Sequence, residues 1–124
     1  MSVQGAGIRG LSDRRGPQIG LALPNGGGVQ SDVGDSLYVE DAINLRITVW
    51  NTGAKNAAMS LWVNDFSPTL TDSHWKNVPT PELAAIPAGA DTTVVIGNFS
   101  HKYVKLQGEG LAGDTTIDLA FCGE

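Results

Sequence analysis

A glycine-rich run near the C-terminus has the spacing of a dinucleotide-binding motif. The run Gly108-Glu109-Gly110-Leu111-Ala112-Gly113 matches G-x-G-x-x-G at every position. That motif holds a pyrophosphate only where its glycines join a strand to a helix, because the helix N-terminus supplies the N–H groups. Here a second β-type run, Thr116–Cys122, follows within a few residues. The spacing therefore predicts a hairpin turn between two strands.

The three residue types of a hydrolase triad are adjacent in Asp72-Ser73-His74. Members of a working triad converge from distant positions of the chain, which three neighbouring residues cannot do. Pro68 and Pro79 flank the run, and this indicates a polar loop. The sequence thus predicts no catalytic residue and no enzyme.

Candidate metal ligands are few, and their spacing is unsuitable. The two histidines, His74 and His101, and the single Cys122 follow none of the zinc-ligand patterns. Four acidic residues lie close together and have the oxygen atoms that calcium prefers, although their spacing differs from an EF-hand loop. They are Asp32, Asp35, Glu40 and Asp41. We interpret them as a solvated acidic rim and predict neither a metal site nor a cofactor.

Two tryptophans are the best candidates for a binding surface. Trp50 and Trp62 lie in runs that alternate apolar and polar residues, Leu45–Trp50 and Met59–Val63. If the aliphatic residues of each run face the core, the two-residue period of a strand places both indoles outward. Exposed tryptophan is common at contact surfaces, since it offers a large area with little loss of entropy. The alternative is that the N-terminal residues or the segment 66–91 cover one or both indoles.

The composition defines the elements that would position these residues. The chain has 124 residues, the size of one domain, and 41% of them are hydrophobic, enough to build a core. Sixteen glycines and six prolines indicate many turns. No amphipathic helical run of ten residues is present, so the pattern favours an all-β domain made of two packed antiparallel sheets.

The strands themselves are predicted from short runs bounded by turn residues. The segment 66–91 contains four prolines and is predicted to be irregular, with at most a short helical turn near Glu82–Ala85. The predicted strands are Ile19–Leu23, Ser36–Val39, Leu45–Trp50, Met59–Val63, Thr92–Ile96, Tyr103–Leu106 and Thr116–Cys122.

Charge is distributed unevenly along the chain. Residues 1–30 carry three arginines, Arg9, Arg14 and Arg15, and one aspartate, a net charge of +2, whereas residues 31–124 carry a net charge of −7. Residues 1–18 show no apolar period, so we predict an extended arm (1–18) followed by one β-sandwich domain (19–124). The arginines are candidate partner-binding residues. The acidic domain argues against nucleic acid as a partner, because phosphate binding needs a basic face.

The chain has features of a protein made in a reducing compartment. Cys122 is the only cysteine, so no internal disulfide can form. No run approaches the roughly twenty apolar residues that span a bilayer, and the first residues lack the apolar stretch of a signal peptide. We therefore expect synthesis in a cytoplasm and no membrane partner.

Two segments resemble a known family. Leu45–Asp65 and Ile86–Val95 are similar, in their strand and turn patterns, to the central strands of bacterial immunoglobulin-like domains of the cell-adhesion-related type. The resemblance covers about half of the chain and implies an immunoglobulin-like sandwich with an adhesive role. It implies no particular site residue.

The sequence supports two functions of different kinds. The first is a structural protein of a virion, concretely a capsid decoration protein of a tailed bacteriophage, whose arm contacts major capsid or neighbouring subunits in a symmetric assembly. Single sandwiches with extended arms are a common form of such proteins, and this argument is an analogy at the level of the fold. The second is a module that binds a carbohydrate or protein ligand through Trp50, Trp62 or the segment 66–91.

Overall fold

The structure, a computed structural model, describes residues 17–40 and 43–123. Within these residues the chain forms eight strands and one short 3₁₀ turn, Pro81–Leu83. The strands are β1 Gln18–Leu23, β2 Ser31–Tyr38, β3 Leu45–Asn51, β4 Ala57–Asn64, β5 Lys76–Val78, β6 Asp91–Ile96, β7 Tyr103–Gly110 and β8 Thr115–Gly123.

The described strands form two antiparallel sheets of four. The first sheet has the order β1-β8-β3-β6 and the second the order β2-β7-β4-β5. All named strand pairs within both sheets are antiparallel. The sheets pack face to face over one apolar core. This arrangement confirms the predicted all-β antiparallel sandwich.

The two-residue alternation read from the sequence decides which side chains enter the core. Leu45, Ile47 and Val49 of β3 are fully buried, whereas Arg46 and Trp50 between them are exposed. The same alternation places Met59, Leu61 and Val63 of β4, and Ile117, Leu119 and Phe121 of β8, inside the sandwich. Each large aliphatic side chain buried in this way contributes roughly 1.5–3 kcal/mol to folding.

Three strands differ clearly from the sequence-based prediction, and one of them, β7, runs to Gly110, four residues beyond its predicted end at Leu106. Strand β2 begins at Ser31, five residues before the predicted start, because Gly34 at φ +67° forms a bulge that interrupts the alternation. Strand β5, Lys76–Val78, lies inside the segment predicted to be irregular, where it pairs with β4. The short helical turn expected near Glu82–Ala85 is found as the 3₁₀ turn Pro81–Leu83, whose Leu83 is buried in the core.

A buried amide joins the end of β3 to three other parts of the chain. The Asn51 side chain is fully buried, and its Nδ2 donates to the carbonyl oxygens of Lys55 (2.8 Å) and Ile86 (2.9 Å). Its Oδ1 accepts from the Gly53 N–H (3.1 Å) and the Thr115 hydroxyl (2.8 Å). Since every hydrogen-bonding position of the amide is used, Asn51 fixes the β3–β4 turn against β8.

Candidate functional site

The G-x-G-x-x-G run forms the β7–β8 hairpin, as predicted. Gly108 and Gly110 belong to β7, and β8 begins at Thr115. A Cβ at Gly110 would lie 2.1 Å from the Gly113 carbonyl oxygen, so the backbone approach itself requires glycine. Glu109 is almost fully buried, and its Oε1 accepts the Gly28 N–H at 2.9 Å. These glycines and this carboxylate hold loops together and form no phosphate cradle.

The Asp72-Ser73-His74 run lies in the loop between β4 and β5, again as predicted. The Asp72 Oδ1 accepts from three donors: the His74 N–H and Nδ1, each at 2.8 Å, and the Asn64 Nδ2 at 2.9 Å. The His74 ring stacks on Phe66 with ring centroids 4.4 Å apart. The side-chain hydrogen bond from Asn64, followed by the bonds from His74, lowers the pKa of Asp72 below its ordinary value of 3.8. The carboxylate therefore organises this loop.

A second carboxylate anchors the start of the same loop. Asp65 accepts the Lys102 N–H at 3.0 Å and lies 3.2 Å from the Nδ1 of His101. Burial alone would raise the pKa of Asp65, but the hydrogen bonds from Lys102 and His101 outweigh it, so the pKa is lowered from its ordinary value. Both histidines of the chain thus pair with aspartates that hold loops in place.

These two aspartates make the loop sensitive to acid. A carboxyl group whose pKa is lowered in the folded state stabilises the protein above its ordinary pKa of 3.8 and loses that effect as the pH falls through the folded pKa. We expect the double variant Asp65→Asn, Asp72→Asn to lose less unfolding free energy than the natural protein when the pH falls from about 5 to about 2. Urea denaturation at several pH values measures this. Parallel pH profiles of the two proteins would show that the carboxylates do not stabilise the loop.

Two of the four acidic residues near β2, Asp32 and Glu40, bond to neighbouring side chains. Asp32 lies 2.8 Å from the Lys105 Nζ and accepts the Gln107 amide at 3.0 Å, whereas Glu40 accepts the Tyr38 hydroxyl at 2.6 Å. Asp41 lies outside the described residues. Nowhere in residues 17–40 and 43–123 do three His, Cys, Asp or Glu side chains form a group that could hold a metal ion.

Lys105 was missed by the sequence analysis and is the most unusual charge in the described part of the protein. Its side chain is only 5% exposed although it lies on the outer face of the second sheet. The Nζ donates to the Leu70 carbonyl at 2.9 Å, contacts Asp32, and lies 4.9 Å from the centre of the Trp75 ring. The segment 65–75 therefore packs over this face and covers the lysine. The local sequence, a lysine between Val104 and Leu106 in a strand, does not indicate that Lys105 is buried or which residues it contacts.

The outer face of the first sheet is different, because it carries exposed apolar side chains. We call this surface, formed by Ile19, Thr48, Trp50, Val95 and Ala120, the apolar face. Trp50 is 53% exposed, Ile19 69% and Val95 67%. Thr48 and Ala120 pair directly across β3 and β8 on the same face. Charged residues also lie on this face, because Trp50 pairs with Asp91 and Asp118 and Val95 pairs with Arg46. A shallow hollow of about 160 Å³ is lined by Pro17, Ile19, Trp50, Ala120 and their neighbours.

The structure describes two of the five residues predicted to bind a partner, Trp50 and Trp62. Trp50 points outward, as the alternation required, and dominates the apolar face. Trp62 lies on the outer side of the second sheet but is half-buried, and its Nε1 donates to the Ser60 hydroxyl at 2.8 Å, which in turn donates to Gln30. The structure therefore separates the two indoles onto opposite sheets. Arg9, Arg14 and Arg15 lie outside the described residues, as does all of 1–16, and the first described residue, Pro17, lines the hollow beside Trp50.

Comparison with known proteins gives likenesses of structure only. Neither a protein-family model nor a curated protein sequence matches this chain. Among solved structures, the chain is similar to PirA, with 13% identity over 85% of this chain and 92% of PirA, at a TM-score of 0.49. It is also similar to the SPBc2 prophage-derived protein YomS, with 10% identity over 87% of this chain and 95% of YomS, at a TM-score of 0.47.

A viral structure is a more distant likeness. The chain matches infectious bursal disease virus, Gx strain, with 16% identity over 85% of this chain and 32% of the viral chain, at a TM-score of 0.38. No helix within the described residues is long and apolar enough to cross a membrane. The function has to be argued from the protein's own surface.

Proposed function

We propose that this protein is a non-enzymatic structural protein of a virion, concretely a decoration or other minor particle protein of a tailed bacteriophage. The observation that carries the proposal is the apolar face. Trp50 and Ile19 leave more than half of their side chains in water on one side of the sandwich. Exposed large apolar side chains grouped on one side of a small domain are a mark of protein contact, and tryptophan is among the residues that dominate the energy of such contacts.

The position of Pro17 supports the same proposal. Pro17, where the described chain begins, lies in the hollow next to Trp50 and Ile19. Arg9, Arg14 and Arg15 precede Pro17 in the chain by at most eight residues, and we propose that they and the apolar face contact the same partner. Arginine contacts add encounter rate and register to such an interface. The form of one sandwich with one arm suits attachment to a capsid, and the resemblance to immunoglobulin-like adhesion domains fits an adhesive role.

A specific observation favours a second candidate, a module that binds carbohydrate. An open groove of about 350 Å³ lies beside β4 and β5, and its walls include the amides of Gln30 and Asn77 and the hydroxyls of Ser60 and Thr80. Uncharged amides and hydroxyls are suitable partners for sugar hydroxyls. Titration calorimetry with neutral oligosaccharides tests this candidate, with Asn77→Ala as the variant expected to lose any sugar binding.

The test of the virion proposal compares two tryptophan variants. Trp50→Ala should weaken cosedimentation with assembled phage shells at least tenfold, about 1.4 kcal/mol, because the exposed indole would anchor the contact. Its melting temperature should change little. Trp62→Ala is the matched control: it removes the same side chain from the other sheet, where the indole is half-buried and hydrogen-bonded to Ser60. It should lower the melting temperature and leave shell binding unchanged.

Shell binding by Trp50→Ala at the natural affinity would contradict the role given to the apolar face. The same experiment separates the two candidates. If neither variant affects shell binding while Asn77→Ala abolishes binding of an oligosaccharide, the protein is a carbohydrate-binding module.

A further inference from the structure

The described strands leave four sheet edges, and three of them are protected against pairing. Strand β1 has a bulge between Gln18 and Leu21, and the N–H of Gly20 within it is bonded to Asp118. Strand β2 has a bulge between Val33 and Leu37 and includes two aspartates. Strand β5 has only three residues. Bulges, charges and short length are the usual means by which proteins keep strand edges from pairing with other chains.

Strand β6 has no bulge, is twice as long as β5, and carries a charge only at its first residue, Asp91. Its six residues, Asp91–Ile96, pair with β3 in an uninterrupted register. The sequence between its ends is Thr-Thr-Val-Val, which is β-branched throughout and contains no charge, proline or glycine. No loop hydrogen bond within the described chain reaches residues 91–96. By the same physical criteria, β6 is the edge of this sandwich that is suited to pair.

The main-chain groups on the open side of β6 can be identified from the β3 ladder. The N–H of Asn51 donates to the Ala90 carbonyl, and the Asn51 carbonyl accepts the Gly89 N–H, so Asn51 points its main chain toward β6. Antiparallel partners alternate in this respect. Thr92, Val94 and Ile96, opposite Val49, Ile47 and Leu45, therefore bond to β3. The main-chain groups of Asp91, Thr93 and Val95 point away from the sheet.

We propose that β6 pairs antiparallel with β6 of a second copy of this chain, forming a two-fold dimer with one continuous eight-stranded sheet. Thr93 lies opposite Thr93 of the second copy on the axis, and Asp91 lies opposite the second copy's Val95. In this register the three residues with outward main-chain groups face one another, so the copies exchange about six hydrogen bonds. The same register keeps Val94 of both copies on the core side and Thr93 of both on the apolar face.

In this register, Asp91 of each copy faces the side of the second copy on which Arg46 lies. The one charged residue of β6, Asp91, stands four residues from Val95, so the two aspartates of a dimer lie roughly 14 Å apart along the strands, beyond the screening length of about 8 Å. Arg46 is the neighbour of Val95 on β3. Each Asp91 therefore lies on a row with the second copy's Val95 and Arg46. An edge with an aspartate at one end of β6 and an arginine of β3 beside its other end is complementary to a second copy related by a two-fold axis.

The dimer also extends the proposed binding surface, although it does not depend on the virion proposal. The apolar faces of the two copies lie on the same side of the joined sheet because the register preserves the pleat. Val95, which is 67% exposed in one copy, then lies two residues from the axis, on the same row of the joined sheet as Asp91 and Trp50 of the second copy.

Substituting Val95 by an acidic or a basic residue tests the pairing of β6 with β6 of a second copy. Sedimentation equilibrium of the full chain over about 1 to 100 µM should show a monomer–dimer equilibrium. Val95→Asp places two carboxylates opposite each other at both ends of the ladder and should raise the dimer dissociation constant at least tenfold, since like charges that face one another across strands repel. Val95→Lys changes the same exposed side chain but faces Asp91 of the second copy, and it should leave the dissociation constant within about threefold.

A further variant, Thr93→Pro, tests the main-chain hydrogen bonds of the proposed dimer. Thr93→Pro removes an outward N–H that β3 does not use, so the sandwich should fold and remain monomeric. A natural protein that is monomeric up to 100 µM overturns the proposal, and so does equal weakening by Val95→Asp and Val95→Lys. A chain lacking residues 1–16 that is monomeric while Val95→Asp still dimerises would assign self-association to the arm and also overturn it.

Discussion

Replacing Asn51 by alanine should lower the unfolding free energy by at least about 3 kcal/mol. The substitution removes the side-chain donor of the Lys55 and Ile86 carbonyls, of which the Ile86 carbonyl keeps the Ala57 N–H. It also leaves the Gly53 N–H and the Thr115 hydroxyl without their acceptor. Each buried polar group that loses its partner costs roughly 1–3 kcal/mol. For a domain of this size, the melting temperature should fall by roughly 10 °C or more. Urea denaturation and thermal melting monitored by circular dichroism measure both quantities.

Asn56→Ala is the matched control for this variant. Asn56 lies in the same turn, but it is exposed, and its Oδ1 accepts the Ala88 N–H at 3.1 Å. Its removal should cost less than about 1 kcal/mol, as is usual for exposed hydrogen bonds. Equal losses for the two variants would show that the buried network around Asn51 does not hold the turn.

The parts of the fold that depend on local alternation could be predicted from the sequence. Strands β3, β4 and β8 each bury every second side chain, and burial of that kind follows directly from a run such as Leu45–Trp50. The glycine run 108–113 was assigned to a hairpin because a β-type run follows it too closely for a helix. The position of Trp50 on an outer face follows from the same two-residue period.

Features that depend on distant contacts could not be predicted. Asn51 looks like an ordinary turn residue in Asn51-Thr52-Gly53, since nothing local shows that Ile86 and Thr115 will meet its amide. The burial of Lys105 likewise requires the segment 65–75 to fold over the sheet. Strand β5 is too short to show a period, and β2 is hidden by its bulge at Gly34. Each of these features results from tertiary packing that overrides local pattern.

Both the local sequence and the sheet order are needed to identify the open edge of β6. The run Thr92–Ile96 was predicted as a strand from its β-branched residues, but the sequence does not show which strand lies beside it. Only the sheet order places β6 at an edge, and only the direction of Asn51 shows which main-chain groups remain open. A strand with ordinary sequence thereby becomes a candidate interface.

Removal of residues 1–16 should leave the folding of the domain unchanged and weaken its attachment to phage shells. The segment precedes β1 and carries three of the eight basic residues of the chain, opposite in sign to the acidic domain. We expect the shortened protein, beginning at Pro17, to keep its melting temperature within a few degrees, because the buried core residues of the described chain all lie between Leu23 and Phe121. Its attachment to phage shells should weaken at least tenfold, a loss of about 1.4 kcal/mol or more.

The salt dependence of attachment identifies the reason for that loss. Arginines that contact surface carboxylates lose binding energy as salt rises, whereas an indole in an apolar contact does not. Attachment of the full chain should therefore weaken more steeply between about 50 and 500 mM salt than attachment of the shortened chain. The full-length triple variant Arg9→Gln, Arg14→Gln, Arg15→Gln should show the shallow salt dependence of the shortened chain. If the shortened chain binds as tightly as the full chain, the arm has no part in attachment, and the apolar face around Trp50 alone must hold the partner.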